Sequence, residues 1–275
     1  WPTSAWSDYA VRNLRPPPSF SARSLIARAC AGGSGVVDVA GGRGSLSFEL
    51  CQKRGIPCTV VDPRLADGVT GTRLTRSQAR WVKENGREGM MEPRKFAALL
   101  TPSLWDGGEG HAVAEPAALG HDGSEGTESS DEDGEEGGEG AVGGVPRRWQ
   151  HTVTCAAPQA LPTTELAELR AILRNASAIV GMHPDQATEP IVSCAISLGR
   201  PFAVVPCCVF PRTFPDRRLV DEGGGSKHVV TTADFIEYLQ RKPSVERGLP
   251  RAEKAYLAHA GKNCVVFGGW GGCPR

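Results

Sequence analysis

The chain has 275 residues, 40% of them hydrophobic, and its 31 Lys and Arg balance 31 Asp and Glu. That is enough apolar material for one α/β domain with a substantial core, so no disulfide framework is needed. No run reaches the roughly 18 apolar residues of a membrane span. Nothing reads as a signal peptide, and nine scattered Cys point to a reducing compartment, cytoplasm or nucleus.

The neutral balance is uneven along the chain. Residues 106–146 hold 12 Asp or Glu and 12 Gly with no Lys or Arg, a composition that buries too little apolar surface to offset its ordering entropy. A disordered insert is expected there, interrupting a single domain over 21–270, with an extended lead-in over 1–20 around Pro16-Pro17-Pro18. Outside the insert 19 acidic residues stand against 31 basic ones. A body with that excess attracts anions, RNA among them, unless the charge is simply dispersed over the surface. An acidic tether is able to screen such a face until an anionic partner displaces it. The chain begins at Trp1 rather than Met, as a fragment or processed product would.

In chain order, 21–31 is expected as a short helix ended by Gly32-Gly33. Val36–Val39 is expected as a buried parallel strand, a short apolar run between glycines. Ser45–Arg54 reads as a helix stopped by Gly55-Ile56-Pro57, and Cys58–Val61 as the second strand. The stretch 75–100 reads as helix in pieces, broken near Gly86 and Pro93, and 152–155 as a third strand. A helix then runs from Thr163 or Thr164 to about Asn175, a strand over Ala178–Met182, a helix over 185–198 and a strand over Phe202–Val205. Residues 210–227 are expected to be irregular and 233–241 helical. Residues 255–259 and 264–267 form an expected antiparallel hairpin around Gly261-Lys262. The alternation implies a parallel sheet with helices on both faces.

The most informative segment is Val36-Val37-Asp38-Val39-Ala40-Gly41-Gly42-Arg43-Gly44. Small residues at 40, 42 and 44 let the chain turn sharply and bring backbone close to a ligand, while the next helix presents its positive end. Asp38 would repel a diphosphate but suits a ligand carrying an ammonium group and hydroxyls. Eighteen residues after Gly44, Asp62 ends the second strand, where an acid accepts the ribose hydroxyls of an adenosine ligand.

At Asp38, Ala40, Gly42, Gly44 and Asp62 the chain resembles the class I S-adenosylmethionine-dependent methyltransferases. Ala40 stands where the first glycine is usual. The resemblance implies S-adenosylmethionine as cofactor and a Rossmann-like, doubly wound, mostly parallel seven-stranded sheet with an antiparallel C-terminal hairpin. Gly181-Met182-His183-Pro184-Asp185 after the fourth strand and Cys207-Cys208 after the fifth resemble a methyltransferase-like subgroup that includes tRNA ribose methyltransferases. The His-His pair often found after those cysteines is replaced here by Val209-Phe210-Pro211.

Several chemistries fit this second cluster. His183, with an ordinary pKa near 6.5, is placed to take a proton from an attacking hydroxyl or amine. Asp185 is an alternative base, or a residue that orients the histidine or caps a helix behind Pro184. Cys207 or Cys208 would serve as a covalent nucleophile on a pyrimidine, or as small apolar packing. A zinc site from His183 and the cysteines is disfavoured, because adjacent cysteines are poor shared ligands and no Cys-x-x-Cys spacing occurs. Lys262-Asn263 reads as a hairpin turn. The expected function is methyl transfer, with RNA the favoured acceptor class. The alternatives are a non-catalytic binding module on the same fold and a dinucleotide oxidoreductase, which Asp38 and the terminal hairpin oppose.

Overall fold

The computed structural model describes residues 33–67, 74–86, 91–106, 161–221, 223–257 and 261–269, all within one unit of the chain. Its elements are β1 (Val36–Val39), α1 (Ser45–Arg54), β2 (Cys58–Val61), α2 (Arg76–Asn85), β3 (Arg94–Phe96) and α3 (Thr163–Arg174). There follow β4 (Ala178–Met182), α4 (Thr188–Leu198), β5 (Phe202–Val205), β6 (Arg218–Val220) and β7 (Ser226–His228). The last are α5 (Thr232–Arg247), β8 (Glu253–Tyr256) and β9 (Cys264–Gly268).

Seven strands form one sheet in the order β3-β2-β1-β4-β5-β9-β8. The first five are parallel, and β9 runs antiparallel to both β5 and β8. The chain winds outward from β1 to β3 and then crosses back to place β4 on the other side of β1. That reversal opens a crevice at the carboxyl ends of β1 and β4, the place where open α/β sheets bind ligands. The fold is therefore Rossmann-like and doubly wound, with an antiparallel C-terminal hairpin, as the sequence led one to expect.

Period-two alternation assigns the strand residues to two cores. Val37, Val39, Ile179 and Val204 pack with Leu169 and Leu173 of α3, Ile191 and Ile196 of α4, and Phe235 and Leu239 of α5. Val36, Val180, Ala203 and Val205 pack with Leu46 and Leu50 of α1 on the opposite face. Asp38 shares the α1 face by the same alternation, and this is why a carboxylate ends up beneath the start of that helix. Removing a fully buried Leu or Ile from either core deletes on the order of 2–5 kcal/mol.

Four local expectations change. The strand beside β2 is β3, inside the stretch read as broken helix; 152–155 lies outside the described residues, as do 21–31 and nearly all of 106–146. Only Phe96 of β3 is buried, so a three-residue edge strand carrying Arg94 and Lys95 offers no alternation to detect. The irregular stretch 210–227 contains β6, which pairs with β7 in a small separate ribbon. The expected helix over 185–198 opens as a 3-10 turn, Asp185–Ala187, before α4. Finally, α5 continues through Pro243, since Phe235, Leu239 and Pro243 are buried at four-residue spacing and that face outweighs one lost backbone bond.

Candidate functional site

The loop after β1 is shaped by left-handed backbone at alternate positions. Ala40, Gly42 and Gly44 have φ of 53, 54 and 72°, and Gly44 caps α1 without any side-chain hydrogen bond. The cap comes instead from the strand. Asp38, 1% exposed, accepts a 2.9 Å bond from Ser47 Oγ on its Oδ2 and a further bond from the Ser47 N–H. Its Oδ1 is buried and has no hydrogen-bond partner among the described residues. Burial pushes this carboxyl up to about 7 against the pull of the Ser47 bonds, and the charge of Asp62 adds to the rise.

Gly41, which the spacing argument passed over, is the tightest position of the loop. A Cβ there would lie 2.7 Å from Asp38 Oδ2. Its glycine is demanded by the carboxylate, whereas a Cβ on Gly42 would meet only Arg64 at 3.5 Å. The signal was present in the paired glycines 41 and 42 but looked redundant without the strand beneath.

Asp62 is fully buried at the end of β2. It accepts the Gly42 N–H at 2.8 Å, so the second acid holds the glycine loop in place. It also accepts the Arg64 N–H at 2.9 Å and the Arg64 guanidinium at 3.1 and 3.0 Å, one bond to each oxygen. Burial alone would raise this carboxyl, but the Arg64 and Gly42 bonds hold it below the usual carboxylate range. The expected acceptor of ribose hydroxyls is thus already engaged by Arg64, whose side chain is 56% exposed.

β4 lies between β1 and β5, so the segments after all three leave the same edge of the sheet. Gly181 is there for packing: a Cβ would sit 2.5 Å from Ile191 Cδ1 and 3.0 Å from Pro184. His183 is half-buried, takes φ of 53° and donates its N–H to Val205 O at 3.2 Å. Asp185, exposed, takes φ of 49° and accepts a 3.0 Å bond from Cys207 Sγ. Burial and the Asp185 carboxylate push the Cys207 thiol up to about 12. A thiol held that high keeps its proton at neutral pH. Asp185 Oδ, Cys207 Sγ and the half-buried Cys208 Sγ all lie within 4.8 Å of one another.

Two residues that sequence reasoning missed hold this second cluster. Lys262 donates its ammonium to the Cys207 carbonyl, so it reaches the site instead of merely serving the turn; Asn263 and Leu257 close the hairpin between themselves. Arg217, 5% exposed, donates to Val209 O at 2.7 Å. Its guanidinium packs 3.7 Å from the Phe214 ring centroid and 4.6 Å from that of Phe235. Glu189 fixes Arg217 at 2.6 Å and accepts from Tyr238 and Lys242 at 2.6 and 2.7 Å. An isolated Arg in an irregular stretch gave no sign of this.

No protein-family profile and no curated protein matches the chain. Among solved structures, magnesium protoporphyrin IX methyltransferase from Synechocystis PCC 6803 with bound S-adenosylmethionine aligns over 96% of this chain and 95% of that one. The TM-score is 0.32 and the identity 12%, so the fold assignment above rests on strand order and register alone.

Proposed function

We propose that the chain is an S-adenosylmethionine-dependent methyltransferase, with its donor held at the ends of β1 and β2 and its acceptor reacting beside β4 and β5. The observation that carries this reading is the buried Asp38 oxygen without a partner, under a loop left-handed at 40, 42 and 44. An ammonium group supplies the donor that this oxygen lacks, and ionised Asp38 would then be paired instead of stranded. Small residues at 40, 42 and 44 let backbone approach the ligand, and Asp62 takes the ribose hydroxyls once Arg64 swings away. The bound donor supplies a methyl group on a sulfonium. What the chain must add is an oriented acceptor and somewhere for the acceptor's proton to go. His183 is the preferred base, since Cys207 is held protonated and Asp185 is occupied by that thiol.

RNA is the favoured acceptor class on charge, with 19 acidic against 31 basic residues outside 106–146. The Arg64 contact with Asp62 favours a second reading, a methyltransferase-like binding module whose donor pocket stays shut. Incubation with methyl-labelled S-adenosylmethionine and fractionated RNA and protein separates the two. Label in RNA supports the enzyme; no label in either fraction, with no cofactor bound, supports the module. Deleting 107–145 should tighten RNA binding at low salt, with the gain fading as salt rises.

A further inference from the structure

We propose that Asp185, Cys207 and Cys208 form a binding site for zinc(II) or another thiophilic divalent ion at the carboxyl ends of β4 and β5. The three ligand atoms lie within 4.8 Å of one another, with Cys207 Sγ and Asp185 Oδ1 at 3.0 Å. A tetrahedral zinc ion, with about 2.3 Å to sulfur and about 2.1 Å to oxygen, spaces its ligands roughly 3.5–3.8 Å apart. The shortest given spacing of 3.0 Å and the 4.8 Å outer limit lie on either side of that range, so small side-chain rotations close the set.

Neighbouring cysteines on an extended strand would point to opposite faces, which is the reason for doubting them as shared ligands. Here they sit beyond the last paired residue of β5, Val205, in a segment that soon turns through Phe210, φ 51°. That conformation is fixed from outside: Lys262 holds the Cys207 carbonyl, and Arg217, itself locked by Glu189, holds the Val209 carbonyl. Asp185 is turned onto Cys207 by its own left-handed backbone, and its carbonyl accepts the Thr188 hydroxyl at 2.7 Å at the start of α4. The ligand geometry is thus supported by groups that are not ligands.

Donor chemistry selects the ion. Two sulfurs and one oxygen suit zinc(II) or a similar thiophilic cation, whereas magnesium and calcium take oxygen alone. Each thiol releases its proton to solvent on binding, so two thiolates and a carboxylate carry one more negative charge than the ion neutralises. The Lys262 ammonium, anchored on the Cys207 backbone, offsets the remainder. Three protein ligands leave a fourth tetrahedral position. Asp185 is exposed and Cys208 only half-buried, so that position is reachable by a lone-pair donor from solution. The site takes no part of the glycine loop and does not depend on the methyl-transfer reading.

Cobalt(II) titrated into the full chain, stripped of metal with a chelator, tests this by absorbance. One equivalent should bind with a thiolate-to-cobalt band in the near ultraviolet and the strong visible bands of tetrahedral cobalt, and zinc(II) should abolish both. Cys208→Ser and Cys207→Ser should weaken binding by more than about 100-fold, beyond the usual effect of losing an outer partner. Asp185→Ala, at an exposed position with φ of 49°, should weaken it at least about tenfold with a melting temperature lowered by no more than a few degrees, which separates a ligand from a packing group. Absence of the thiolate band, its persistence in a Cys207→Ser/Cys208→Ser double variant, or unchanged affinity in Asp185→Ala would overturn the site. None of these results bears on whether S-adenosylmethionine binds, so the two readings fail separately.

Discussion

The two ends of the crevice are built on opposite principles. After β1 and β2 the polar groups are buried carboxylates, and the backbone above them bends through small residues: Ala40, Gly41, Gly42 and Gly44. After β4 and β5 the left-handed positions are His183, Asp185 and Phe210, which carry full side chains, and the first two are half-buried and exposed. The first end bends to bring main chain close to something; the second accepts strained backbone in order to aim side chains. That division is what the proposed donor pocket and reacting centre require, and each variant below bears on one half of it.

The largest effect belongs to the acceptor end. His183→Ala should lower methyl transfer by about 10²–10⁴ while leaving cofactor affinity within a few-fold, because residue 183 follows β4 whereas the glycine loop follows β1. Equal loss of rate and cofactor affinity would merge the two ends and break the comparison.

Next comes the donor end's tightest contact. Gly41→Ala forces a Cβ to within 2.7 Å of Asp38 Oδ2 and should destabilise the fold by about 1–3 kcal/mol, with cofactor binding lost. Thermal melting and calorimetry read both. Gly42→Val acts differently, through a β-branched residue at positive φ and not through a clash with Asp38.

A smaller effect is the pH response of Asp38. Its folded pKa near 7 lies above the unfolded carboxylate value near 3.9. Between the two, the unfolded chain is ionised while the folded chain keeps its proton. Asp38 therefore lowers stability as pH rises from about 4 to 7, and contributes no further change above. Affinity for a ligand with an ammonium group should move the other way, rising several-fold as pH passes through 7. Asp38→Asn should weaken binding and remove that pH-dependent rise, with melting at pH 8 as high as wild type or higher.

Smallest is Arg64→Ala, which removes the guanidinium from both Asp62 oxygens while leaving the two backbone N–H bonds, and should tighten S-adenosylmethionine binding by a few-fold. Weaker binding would show that Arg64 contacts the ligand instead of covering its site.

Much of the donor end was legible because backbone geometry restricts residue type. Ala40, Gly42 and Gly44 stood out as small, and all three prove left-handed. Asp38 and Asp62 stood out as acids at strand ends. What the sequence withheld were contacts made across the fold: Gly41 against a carboxylate below it, Arg64 over Asp62, and Asp38 capping α1 nine residues ahead. The acceptor end was legible only as a set of residue types. That Cys207 is paired to Asp185, with Lys262 and Arg217 behind it, depends on the β8–β9 hairpin returning to β5 and on α5 packing against α4. No local pattern records those returns. β3 escaped for a related reason, since β2 and one buried Phe suffice to place it.

Titration calorimetry of the purified chain with S-adenosylmethionine, S-adenosylhomocysteine and NAD tests the central claim most directly. Both adenosyl ligands should bind with one-to-one stoichiometry, NAD should give no heat of binding, and Asp62→Ala should weaken the adenosyl ligands by about 1.5–3 kcal/mol or more. Tight binding of NAD with no response to S-adenosylmethionine would contradict the account.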